Sequence, residues 1–178
     1  MIKHSNSIIS IAIRYICLVL LAIGNLWIIY TVLTPLTIRI SYLFIKLIFE
    51  DAILFKSTVI YSAHSLQIIS SCVAGSAYFL LLILNLSTPM DARKRTKSLV
   101  FLIASFFLIN ILRIFVFAIL FANDYSSLDV LHKITWYALG SLFVVMLWFA
   151  NIRMFNITSI PIYSDISFLM QKRKDIKS

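Results

Sequence analysis

The sequence predicts an all-α protein: a polytopic integral membrane helical bundle of about four transmembrane helices, with an interfacial helix and a short hairpin on its outer face. Three observations lead there. Of 178 residues, 61% are apolar and only 13% charged, more hydrophobic surface than one soluble core can hide. The apolar residues fall in stretches of roughly 20, the length a helix needs to cross a hydrocarbon core of about 30 Å. The basic residues, which give a formal charge of +9, flank those stretches. They form no stripe interleaved with exposed aromatics, so they read as topology signals, and nucleic acid is not expected as a partner. Residues 1–178 make a single membrane-embedded domain without internal repeat or flexible linker.

The first span is expected from about Ile8 to Leu33, ending before Pro35, which lacks the N–H a helix interior needs. No small-residue cleavage site follows Met1–Ser10, so this segment is expected to stay as an anchor, with Arg14 snorkelling to the nearer surface. Leu36–Ile48 has apolar residues at Leu36, Ile40, Leu43, Phe44 and Leu47, and Arg39, Tyr42 and Lys46 along one flank. That pattern suits an interfacial helix. Thr58–Ser71 alternates at Val59 and Tyr61 and again at Leu66 and Ile68, which suits a short hairpin. A rival count makes Leu36–Phe55 a true span and needs one more crossing before Cys72.

The second span begins near Cys72, runs through Tyr78–Leu86 and stops at Ser87, Thr88 and Pro89. Arg93, Lys94, Arg95 and Lys97 then outweigh Asp91 in the most basic loop of the chain, which the positive-inside rule places in the cytoplasm. The third span is Leu99 to about Ala122. Asn123–Asp129 crosses outside, and the fourth span runs from about His132 to Phe155. Lys172, Arg173, Lys174 and Lys177 keep the tail inside. Counting back from the basic loop puts Cys72 at the outer side.

Polar residues within such spans are functional candidates, because burying them in lipid is costly. Cys72 lies among small neighbours, Ser71-Cys72-Val73-Ala74-Gly75-Ser76, which leave its sulfur accessible, and a thiolate is a strong side-chain nucleophile. A packed core cysteine is the simpler alternative. Arg113 sits about nine residues inside the third span, or roughly 13 Å, where insertion costs about 2.5–3.5 kcal/mol unless it faces protein or water. Asn110, one turn earlier, shares its face. A fold-stabilising contact is the alternative for this pair. His132 opens the fourth span at the outer interface and can exchange protons near neutral pH. Each of the three belongs to the outer half of a different span, so helix packing could gather them at one outward pocket. His64 is a weaker candidate for the same pocket. Cys17 reads as a buried apolar filler, too far from Cys72 for a disulfide.

At these residues the chain resembles the exosortase and archaeosortase family, polytopic membrane enzymes marked by a cysteine, an arginine and a histidine in that order. The resemblance covers roughly Pro35–Ala150 and is carried by Ser71-Cys72-Val73-Ala74-Gly75 leading into an apolar helix, Asn110-Ile111-Leu112-Arg113-Ile114, and His132 with Gly140 two turns on. It is greatest to the compact archaeal, pacearchaeosortase-like members. The chain departs from the family in lacking an acidic residue or threonine before the cysteine and serine-glycine after it.

The resemblance implies a thiol transpeptidase or protease with its active site on the extracytoplasmic side of the cell membrane. Cys72 would be the nucleophile, forming a thioester. His132 would activate the thiol and protonate the leaving amine, and Arg113 would activate the thiol or stabilise the oxyanion. Substrates would be secreted proteins bearing a C-terminal motif, a hydrophobic span and a basic tail, and the acceptor a nucleophile on a membrane lipid. No cofactor or metal is implied, and His4, His64 and His132 fall in separate segments. Two other classes compete: a non-catalytic transporter or channel subunit in which Arg113 lines a polar path, and a lipid-modifying enzyme using His132. The second lacks the clustered carboxylates that metal-assisted phospholipid chemistry uses.

Overall fold

The computed structural model describes residues 8–24, 26–123, 130, 133–134 and 139–177, with backbone alone at 139–140 and 172–177. Mostly helical, it combines α1 (Ile8–Ile23), α2 (Trp27–Lys46), α3 (Gly75–Leu86), α4 (Ala92–Ala122), α5 (Val144–Phe155) and α6 (Tyr163–Lys177) with one small sheet of β1 (Ile53–Phe55), β2 (Thr58–Tyr61) and β3 (His64–Gln67). A π-turn, Leu139–Phe143, leads into α5.

The expected first span is two helices. α1 ends before Gly24, Leu26 takes a left-handed conformation (φ 57°), and α2 then runs through Pro35. The missing proline N–H removes only the bond to the Thr31 carbonyl, and the turns on either side carry the helix past it. Leu36–Ile48 is therefore not a separate interfacial helix, since most of it forms the second half of α2. This half buries Thr37, Ser41 and Ile45, spaced four apart, and turns Leu36, Leu43 and Phe44 outward. Two of these three buried residues are small and polar while large apolar side chains face out, a pattern of helices that meet in lipid.

α4 also buries polar Ser98, Asn110 and Arg113, together with Leu102 and Phe106, while Val100, Leu108, Leu112 and Val116 are exposed. α4 starts seven residues before the expected span, so that Arg93, Lys94, Arg95 and Lys97 occupy its first turns. Two helices, α2 and α4, are long and apolar enough to cross a membrane. The segments Ile8–Ile23, Ser70–Leu86 and Ser141–Phe155 are apolar but shorter.

Two cores stack along α4. Ile29, Ala77, Tyr78, Leu81, Leu102, Phe106, Val144 and Trp148 join α2, α3, α4 and α5. Ile45, Val59, Tyr61, Ile68, Ile114 and Ala118 join the end of α2 and the sheet to the last turns of α4. The expected hairpin is present as β2–β3, pairing Val59 with Leu66 and Tyr61 with His64, and β1 adds a third antiparallel strand on the other side. Val59 and Tyr61 point inward as their alternation predicts, and the Tyr61 hydroxyl donates to the Ala118 carbonyl at 3.0 Å.

The opposite end of the bundle is held by polar contacts. Arg14 does not snorkel. It is 6% exposed, pairs with Asp165 of α6 at 2.8 Å and donates to the Leu86 carbonyl at 2.9 Å. Arg95 donates to the carbonyls of Asn85 and Thr88 at 2.9 and 3.0 Å, so two arginines satisfy the C-terminal carbonyls of α3. A buried chain from Asn85 to Ser98 (2.6 Å) to Asn151 (2.8 Å) ties α3, α4 and α5 together. Lys94 reaches the carbonyl of Asn156 at 3.2 Å, just past α5. The bundle thus has a basic end and a sheet end. Ile8–Lys46 runs from the first to the second, α3 returns, α4 runs out again and α5 finishes at the basic end.

Candidate functional site

At the sheet end, Ser70–Val73 forms a single 3-10 turn between the sheet and α3. The Cys72 N–H donates to the Ile69 carbonyl at 2.9 Å. Val73, fully buried, anchors the turn, while Cys72 is half-buried. Ala74 reverses the chain in a left-handed conformation (φ 57°), and α3 then begins at Gly75. A Cβ on Gly75 would lie 2.6–2.8 Å from the Tyr30 ring, so only glycine lets α2 pack this closely behind the cysteine turn.

α4 supplies the partners. Asn110 and Arg113, three residues apart, lie on one helix face. Asn110 Nδ2 donates to the Cys72 carbonyl at 2.9 Å, and Arg113 Nη2 donates to the same oxygen at 3.1 Å. Both side chains are buried. A charge that would be costly deep in a span is thereby spent on fixing the backbone of the cysteine turn. Beside it lies a pocket of about 50 Å³ lined by Leu66, Gln67, Ile68, Cys72, Arg113, Ile114 and Phe117.

Of the residues singled out in the sequence, Cys72 and Arg113 are brought together, and Asn110 joins them. His132 lies outside the described residues. His64 is not among the pocket-lining residues: its Nδ1 lies 2.7 Å from the Ser62 carbonyl, and its ring packs edge-on against Phe121 at 5.0 Å. Cys17 is exposed on α1 instead of buried, and both cysteines are free. The wall formed by Leu66, Gln67 and Ile68 was not anticipated. The alternation that placed the hairpin could have indicated it, because β3 leads directly into the cysteine turn. Among the described residues no group of three or more His, Cys, Asp or Glu could hold a metal ion. No protein-family profile, curated protein or solved structure matches the chain, so the resemblance at Cys72, Arg113 and His132 rests on those residues themselves.

Proposed function

We propose that the chain is a multi-pass membrane cysteine transpeptidase or peptidase, with Cys72 as its nucleophile at the outer face. Lipid as the solvent is supported by the length of α2 and α4 and by the large apolar side chains that both leave exposed. Orientation is supported by the concentration of Arg93, Lys94, Arg95, Lys97, Arg153 and the α6 lysines at one end, which the positive-inside rule assigns to the cytoplasm. Four passes between the two ends then leave Cys72 near the opposite surface.

The observation that carries the catalytic reading is the convergence of buried Arg113 and Asn110 on the turn that presents Cys72 beside a pocket. The Cys72 sulfur would add to a peptide carbonyl carbon, the C–N bond would break, and the amine would leave with a proton, giving a thioester. A nucleophile on a lipid, or water, would then take the acyl group and restore the thiol. The resemblance assigns the proton transfers to His132, and to Arg113 the activation of the thiol or stabilisation of the oxyanion. Substrates on this reading are secreted proteins with a C-terminal motif, a hydrophobic span and a basic tail. The span enters the bilayer beside the bundle and holds the scissile bond at the outer face.

Co-expression with a secreted reporter carrying such a C-terminus tests this. Wild type should process it, and Cys72→Ala, Arg113→Ala and His132→Ala at matched membrane levels should not. Undiminished processing by Cys72→Ala would remove the mechanism and leave a membrane helical bundle of unassigned role.

A further inference from the structure

We infer that the outer edge of β3 at Ser65 and Gln67 is a docking strand for an extended peptide, which joins the sheet as a fourth strand and is led by it to Cys72. The inference rests on the transpeptidase reading and names how its substrate is held.

The ladder decides which backbone groups are available. Ile68 N–H donates to the Ser57 carbonyl at 2.8 Å, which fixes residues 57 and 68 as a hydrogen-bonded pair. Antiparallel pairs alternate, so Val59 with Leu66 and Tyr61 with His64 are also bonded pairs. The pairs between them, Thr58 with Gln67 and Ile60 with Ser65, turn their N–H and C=O groups away from each other. On β3 those of Ser65 and Gln67 therefore face away from β2. Among the described residues the strand order ends at β3, and neither residue's N–H donates to another described backbone group outside the ladder. Both residues are exposed.

Such an edge is a template for another strand, and a peptide backbone is the group that matches its two donors and two acceptors. Its position is what gives it a role. Gln67 and its neighbours Leu66 and Ile68 form one wall of the pocket, and Cys72 and Arg113 line it too. A strand laid along Ser65 and Gln67 therefore runs into the site, where a pocket of about 50 Å³ suits a small side chain. Main-chain pairing holds many sequences in one register and leaves selection to the pocket.

The test uses the full chain in phosphatidylcholine nanodiscs, in a Cys17→Ser background, and follows alkylation of Cys72 by mass spectrometry. The probes are acetyl-tetraalanyl chloromethyl ketone and chloroacetyl-tetraalanine amide, which extend the peptide on either side of the reactive carbon. In both, the sulfur displaces chloride from that carbon. At least one should label Cys72 ten or more times faster than the small reagent with the same reactive group, chloroacetone or chloroacetamide. N-methylation of that probe should abolish the gain at alternate residues and spare the residues between. Gln67→Pro, which removes an outward-facing N–H, should abolish the gain, read as the ratio of the peptide rate to the small-reagent rate on the same variant. Equal rates for the peptides and their matched small reagents, or N-methylation without period two, would overturn the docking strand. Period-two labelling alongside reporter processing that survives Cys72→Ala would keep the docking strand and discard the transpeptidase.

Discussion

Arg113 shows how much a residue's place in the sequence determines about its surroundings. Its position within an apolar stretch marked it as buried and partnered, and Asn110 one turn away marked the face. What it touches could not be read, because its acceptor is a backbone carbonyl, and carbonyls carry no sequence signal. Gly75 is a second case. Nothing in the sequence pairs it with Tyr30, yet a Cβ there would overlap the ring. Gly75→Ala should cost about 1–3 kcal/mol through displacement of the ring. The cost should vanish in a Tyr30→Ala background, as a double-mutant cycle of thermal unfolding in detergent would measure. An unchanged cost in that background would place the strain elsewhere.

Among the elements, the β2–β3 hairpin was legible from its alternation, and β1 was not. Both connections lack the usual turn residues: Ser62 and Ala63 are both left-handed (φ 46° and 62°), as is Lys56 (φ 55°), positions where glycine or asparagine is the ordinary signal. The boundary near Pro35 was misplaced because one lost hydrogen bond does not break a helix whose other turns are intact. Tyr61 ties the sheet to α4. Burial pushes its hydroxyl up from 10.0 to about 12, favouring the neutral, donating form. Because the folded value is the higher one, this contribution is complete below pH 10 and is lost as pH rises towards 12. Tyr61→Phe should lower stability by about 1 kcal/mol at neutral pH. The difference from wild type should shrink between pH 10 and 12, as unfolding of the two proteins across that range would show. A difference that stays constant there would mean the hydroxyl does not donate in the folded state.

On the scale of the whole molecule, composition and charge placement were enough to expect a helical bundle with a basic end. The closure of that end by its two chain extremities was hidden, since Arg14 and Asp165 lie 151 residues apart. Asp165→Ala should destabilise by about 3–5 kcal/mol, because Arg14 is then a buried charge without its carboxylate. Arg14→Met with Asp165→Leu should recover most of the loss in the same unfolding assay. A double variant no better than the single one would mean that packing of α6, and not the ion pair, closes the bundle.

The most direct measurement is a search for the covalent intermediate. The full chain, purified from membranes after co-expression with a reporter bearing a C-terminal motif, span and basic tail, would be analysed by intact mass with and without hydroxylamine. The account predicts an adduct equal to the N-terminal reporter fragment, carried on Cys72, released by hydroxylamine and absent in Cys72→Ala. Processing of the reporter with no thiol-linked adduct, or an adduct that persists in Cys72→Ala, would contradict it.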